Sequence, residues 1–212
     1  DMDRRKSISR NHSATHLLHK ALRNVLGDHV AQSGSLVAPD RLRFDFSHFS
    51  AIDKEELKKV EMEVNKVILE SLPVDIKEMP VDEARKLGAT ALFGEKYGDV
   101  VRVVKMGGYS LELCGGCHVS STSQIGSFKI LSESGVAAGV RRIEAVTGLG
   151  VLEYIDTKES VLNEVAEVLK SSSADVVKKA ESLLSELKNA QKEIDALRSK
   201  LSLSSVHDLL AK

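Results

Sequence analysis

Two groups of side chains in this sequence have the types and spacing for chemistry. His12 and His16 stand four apart in a segment with helical periodicity, so both imidazoles project from one face, near enough to share a tetrahedral ion. Alone, a His-x-x-x-His pair is a weak signal, and His19 on the same face competes for the role. The second group is Cys114-Gly115-Gly116-Cys117-His118, directly after an alternating stretch. Its two glycines let the backbone turn tightly enough to bring Cys114 and His118 to one point. Together the helical pair and the strand-end pair offer soft-to-borderline ligands, two from each half, and zinc is their natural guest.

Other chemistry competes for the same residues. Cys114, Cys117 and His118 match the Cys-x-x-Cys-His pattern of c-type haem attachment. That attachment follows export, and no export segment is visible here. A thioredoxin-like redox pair should open a helix, which two glycines followed by His118 and Val119 do not promise. As the only cysteines, Cys114 and Cys117 sit too close together to staple distant parts of a fold. The glycosylation triplet Asn11-His12-Ser13 is read as accidental.

The positioning elements follow from periodicity. A helix capped by Ser9 or Asn11 carries Ala14, Leu17, Leu18, Ala21, Leu22, Val25 and Leu26 at helical spacing until Gly27. Leu42 to Phe46 alternates as a strand, with Ser35 to Val37 as its partner before Pro39-Asp40. A helix from Ile52 to Leu72 opens at Asp53 and closes before Pro73, followed by a short strand at Val74 to Lys77 and a brief helix at Val81 to Leu87. Val100 to Met106 alternates around Arg102, and Gly107-Gly108 turns it into Tyr109 to Leu113. Strands at Gly126 to Ser132 and Arg142 to Val146 are separated by the glycine-rich stretch Ser134 to Gly139. Helices interleaved with adjacent, hairpin-like strands predict an α+β fold with a largely antiparallel sheet.

Composition changes after Gly148-Leu149-Gly150. From Val151 onward there is no Gly, no Pro and no strand pattern, and Val176, Ala180, Leu183, Leu187, Ala190, Ile194, Leu197 and Leu201 form a heptad seam. The expected organisation is a domain over 1–150 and a helical hairpin or coiled-coil segment over 151–212. The seam folds back antiparallel or pairs with another chain, as a homodimer through the C-terminal helices. The chain starts and stops without the marks of a natural end and is expected to be an excised piece.

Charge nearly cancels, with 30 basic against 31 acidic residues and a net of −1, so contact with a polyanion must be local. A histone-like polybasic protein is excluded. No apolar run approaches the roughly 20 residues of a membrane span, and a cytoplasmic location is expected. Aromatics make up 4% and Trp is absent, so the core is aliphatic and base-stacking platforms are scarce.

Six stretches carry a family resemblance. They are Asn11-His12-Ser13-Ala14-Thr15-His16-Leu17-Leu18-His19, His29 to Val37, Leu42 to Phe46, Ala91-Leu92-Phe93-Gly94-Glu95-Lys96-Tyr97, Cys114 to His118, and Gly139-Val140-Arg141-Arg142-Ile143-Glu144-Ala145-Val146-Thr147-Gly148. In order and spacing, from about Arg4 to Gly150, they resemble the editing domain of alanyl-tRNA synthetase. The resemblance implies a zinc-containing α+β domain of the threonyl/alanyl second-additional-domain type, with the helices beyond it resembling the following linker. It implies zinc ligands at His12, His16, Cys114 and His118, and a pocket glutamine at Gln32. It further implies hydrolysis of seryl or glycyl esters of tRNA specific for alanine, without the aminoacylating parts. The partners would be the acceptor end of that tRNA and the remaining domains of the synthetase.

The chemistry of such a site is intelligible. A synthetic pocket that holds a methyl group cannot strongly reject a hydroxymethyl group or a missing methyl, so a second site must hydrolyse the wrong ester. Gln32 can hydrogen-bond the seryl hydroxyl or the ester end. Alanine would leave that polar group unsatisfied. Zinc is expected as an organiser and electrophilic anchor rather than as the source of an attacking hydroxide. The family usually carries threonine where this chain has Cys117, and the choice of Cys114 as ligand rests on the resemblance. Phosphate contacts are expected at Arg141 and Arg142, with Arg4, Arg5, Lys6 and Arg43 as weaker candidates. A free-standing editing protein would share the site, and a non-catalytic, zinc-stapled RNA-binding and dimerisation module is the reading from another class.

Overall fold

The computed structural model describes residues 1–90 and 98–210, with side chains through residue 201. The stretch Ala91 to Tyr97, one of the six resemblance segments, lies outside the described residues. Contacts divide the chain into a unit Asp1–Tyr154 and a helical unit from Ile155.

The first unit opens with α1 (Met2–Leu26), capped by the Asp1 carboxylate, which accepts the backbone N–H groups of Asp3 and Arg4. The helix therefore starts ten residues before His12, not at Ser9 or Asn11 as expected. Tertiary partners override the local capping preference of Asn11. Its Nδ2 donates to Ala38 O at 2.8 Å and its Oδ1 accepts from Thr147 Oγ1 at 2.7 Å. Gly27, at φ 116°, stops the helix as expected.

Strands β1 (Gln32–Val37), β2 (Leu42–Ser47), β6 (Phe128–Ala137) and β7 (Val140–Thr147) form one antiparallel sheet in the order β1-β2-β7-β6. Strands β3 (Val74–Pro80), β4 (Val100–Met106) and β5 (Ser110–Leu113) form a second antiparallel sheet. The glycine-rich stretch expected as a loop mostly extends β6, since Ser134 pairs with Arg142 and Gly135 with Arg141. Helix α2 (Lys54–Leu69) is fixed by a reciprocal capping box between Asp53 and Glu56, and α3 (Val81–Lys86) covers the smaller sheet.

The main core packs Leu17, Leu18 and Leu22 of α1 and Val60 and Val64 of α2 against Leu42, Phe44, Phe46 and Ile143 of the larger sheet, all fully buried. A smaller core joins Ala84 of α3 to Val101, Val103 and Leu113. Burying so many branched side chains, at roughly 1.5–3 kcal/mol each, is what anchors α1 and the start of β2. Helix α4 (Leu149–Val168) begins in the first unit, and α5 (Val176–Leu210) follows it in the second. Seam residues Leu187, Ile194 and Leu197 are exposed.

Candidate metal centre

The helical and strand-end pairs converge. One ligand atom each from His12, His16, Cys114 and His118 lies within 4.8 Å of the others. Cys114 Sγ is 3.3 Å from His12 Nε2 and 3.4 Å from His118 Nε2. A thiolate and an imidazole bound to one tetrahedral zinc at usual bond lengths stand roughly 3.5 Å apart, so these separations fit such an ion. The donor set, three imidazoles and one thiolate, also suits zinc. Cys117 is outside the group, half-buried and free.

Position follows from structure on each side. His12 and His16 lie one turn apart on α1, whose apolar face is locked into the core. Cys114 follows the last residue of β5. Its backbone N–H donates to Arg102 O at 2.9 Å, while Arg102 Nη1 returns to Cys114 O and Gly116 O. The two glycines differ in role. Neither has positive φ. A Cβ on Gly116 would collide with the His12 ring, whereas one on Gly115 would meet open space. Close approach, not a left-handed turn, is what Gly116 supplies.

Groups behind the cluster orient it. Glu112 Oε2 lies 2.6 Å from His16 Nδ1, off the N–H axis, so the contact is an ion pair more than a straight hydrogen bond. Glu112 Oε1 is 3.1 Å from His19 Nδ1, and all three side chains are at least nine-tenths buried. His19 is thus not a fourth imidazole of the cluster but a partner of Glu112. Ser13 Oγ sits 3.2 Å from His118 Nδ1 and accepts the Val119 backbone N–H. With Nδ1 engaged by Ser13, Nε2 of His118 is the nitrogen facing the thiol.

The electrostatics follow. Burial would push His16 down, but the Glu112 charge overcomes it and holds the imidazole up at about 10. Burial would raise the Cys114 thiol. Hydrogen bonds from His118, His12 and His16 reverse that and bring it down to about 3, so Cys114 stands as a thiolate at neutral pH. Burial and the neighbouring His16 and His12 lower His118 to about 4, leaving it neutral. Glu112 is held well below the carboxylate range by His16 and His19 against its burial.

His12, His16 and Cys114 form one wall of a cavity of about 350 Å³, shared with Thr15, Gln32, Ser35 and Glu112. Gln32 opens β1 at a register shift between itself and Gly34, the kind of irregularity that re-aims a side chain. The arginines selected from sequence stand elsewhere, on β7. Arg141 pairs with Glu133 through Nε, and Arg142 grips Asp45 with two bonds of 2.7 Å. Sequence reasoning missed Glu112 and Ser13.

Residues 101–144 match the threonyl and alanyl tRNA synthetase second additional domain. The whole chain is 66% identical to alanine–tRNA ligase of Acetivibrio thermocellus, covering 24% of that protein. It is 55% identical over 210 residues to the ligase of Desulforamulus reducens and 58% over 209 residues to that of Clostridioides difficile, covering 24% of each. The chain therefore corresponds to a segment of alanine–tRNA ligases and spans about a quarter of their length.

Proposed function

We propose that this chain is the editing part of an alanine–tRNA ligase, acting in the cytoplasm to hydrolyse seryl and glycyl esters of tRNA specific for alanine. The observation that carries this reading is the joining of a four-ligand cluster to a small polar cavity holding Gln32. His12, His16, Cys114 and His118 would hold zinc, which supplies Lewis acidity and a fixed positive charge beside an ester. Gln32 accepts or donates at the seryl hydroxyl or the ester end. Alanine in the same place leaves Gln32 short of a partner, a loss worth roughly 1–3 kcal/mol. Glu112 and Ser13 hold the rings of His16 and His118 in place, so the wall does not reorganise when substrate enters. Hydrolysis adds one water oxygen to the acyl carbon, breaks its bond to the ribose oxygen and leaves a proton on that oxygen. Around this chain, the acceptor end of the tRNA and the other domains of the ligase are the partners.

One observation favours a second reading. Four protein ligands close a zinc coordination shell, as in structural sites. A zinc-stapled RNA-binding module would bind metal and RNA without cleaving the ester. Paired deacylation of seryl- and alanyl-tRNA separates the two. The editing reading expects selective loss of the seryl ester, abolished in His16→Ala and in chelated protein. Intact metal binding with no cleavage of either ester supports the staple.

A further inference from the structure

A groove of about 600 Å³ runs along the N-terminal half of α1 and ends beside the metal centre, with Arg5, Lys6, Ser9, Arg10 and His118 among its walls. Three cations line it and no carboxylate does. Lys6 and Arg10 stand four apart, as do Arg5 and Ser9, so the basic strip follows one side of the helix. Continuing that strip by three or four residues reaches His12 and Ser13. Ser13 touches His118, whose Nε2 in turn faces Cys114.

These cations differ from the arginines on the larger sheet. Arg141 and Arg142 are each occupied by a carboxylate, Glu133 and Asp45. Arg41 reaches Asp40 and Glu144, and Arg43 lies 3.8 Å from Asp45. Among the described residues, Arg10 Nη2 in the groove meets only the Ser7 hydroxyl at 3.1 Å, and Lys6 has only a loose, exposed contact of 3.8 Å with Asp3. Among the described residues Arg5 and Arg10 form no ion pair. Cations free of ion pairs therefore stand together here beside the cluster, in a chain whose net charge of −1 offers no general attraction.

We propose that this groove holds the phosphodiester backbone of the single-stranded RNA end on which the metal centre acts, with Arg5 and Arg10 on phosphates and Lys6 as a supporting charge. The proposal rests on the editing reading for its choice of ligand. Arginine forks match phosphate oxygens two at a time, and a strand laid along α1 brings its terminus to His118. Phosphates held there carry no sequence information but set register, so the strand's terminus arrives at the His118 side of the cluster in one orientation.

The test is fluorescence anisotropy of the zinc-loaded full chain with a labelled single-stranded RNA at several salt concentrations. The doubly substituted Arg5→Glu/Arg10→Glu chain is expected to bind at least tenfold more weakly than native. Arg5→Gln/Arg10→Gln, which only removes charge, is expected to lower the salt slope by roughly 1.4, about 0.7 for each lost phosphate contact. A Lys58→Glu/Lys59→Glu chain, altered on the exposed side of α2, is expected to bind as native does. Native-like binding by both arginine variants, an equal loss in the α2 control, no RNA binding by native protein, or equally tight binding of an acidic peptide of the same charge overturns the proposal. Cleavage of a seryl ester of adenosine, which has no phosphate, separates the two claims. Native protein that leaves it intact counts against the editing reading, while the anisotropy comparison still decides the groove.

Discussion

Glu112 Oε2 lies 2.6 Å from His16 Nδ1, and this buried carboxylate is the only acid in contact with the ligand cluster among the described residues. A carboxylate behind a ligating histidine orients the ring and strengthens its basicity, and losing such a partner typically lowers metal affinity 10–100-fold. Glu112→Gln should therefore weaken zinc binding by about that factor in a chelator competition, with unchanged helix content by circular dichroism. Native affinity in a folded Glu112→Gln protein would sever this link.

The paired glycines give a sharper structural test. Gly116→Ala would drive a methyl group into the His12 ring, and Gly115→Ala would not touch anything. We expect the first to lose zinc stoichiometry and the second to keep it, by elemental analysis. The reverse order would contradict the close-approach role.

Cysteine replacement separates the two thiols. Cys114→Ser should abolish one-to-one zinc binding, because hydroxyl is a poor substitute for thiolate at a borderline ion. Cys117→Ser should retain the metal, since Cys117 stands outside the cluster.

The two sheets and the cluster were legible to different degrees. Alternation located Leu42 to Phe46 and Val100 to Met106, and Gly107-Gly108 marked the turn between β4 and β5, because each pattern is local. The His12/His16 and Cys114/His118 pairs were legible because two candidate donors stand four apart in each segment, while the choice of Cys114 over Cys117 came from the family resemblance. The start of α1 was not, since Asn11 looks like a cap until Ala38 and Thr147 supply its partners. Glu112 was missed for a related reason: its burial depends on His16 and His19, which arrive from a helix more than ninety residues earlier. The fate of Arg142 depends on β2–β7 register, which sets it opposite Asp45.

That last pair carries a pH dependence. Hydrogen bonds from Arg142 hold the Asp45 carboxyl below its ordinary value despite partial burial, helped by the charges of Arg142 and Arg43. A folded-state pKa depressed in this way gives stability that is present above the unfolded value of about 3.9 and is lost as pH falls through the folded one. Asp45→Asn should accordingly melt below native protein at pH 7, and the gap should narrow below about pH 4. A gap in melting temperature that stays constant into acid would show that Asp45 contributes by packing alone.

Gln32 links the cavity to selectivity. Gln32→Leu should slow seryl-ester hydrolysis roughly 10–100-fold, the loss expected when a buried hydrogen bond goes, and should narrow the preference over alanyl ester. Unchanged discrimination would move the specificity to another wall of the cavity.

X-ray absorption at the zinc edge of catalytically active protein examines the site itself. One zinc per chain, with three nitrogen ligands at about 2.0–2.1 Å and one sulfur at about 2.3 Å, is the expected result. A metal-free sample that still removes serine, or a zinc shell lacking sulfur, would contradict the joining of His12, His16, Cys114 and His118 around one ion.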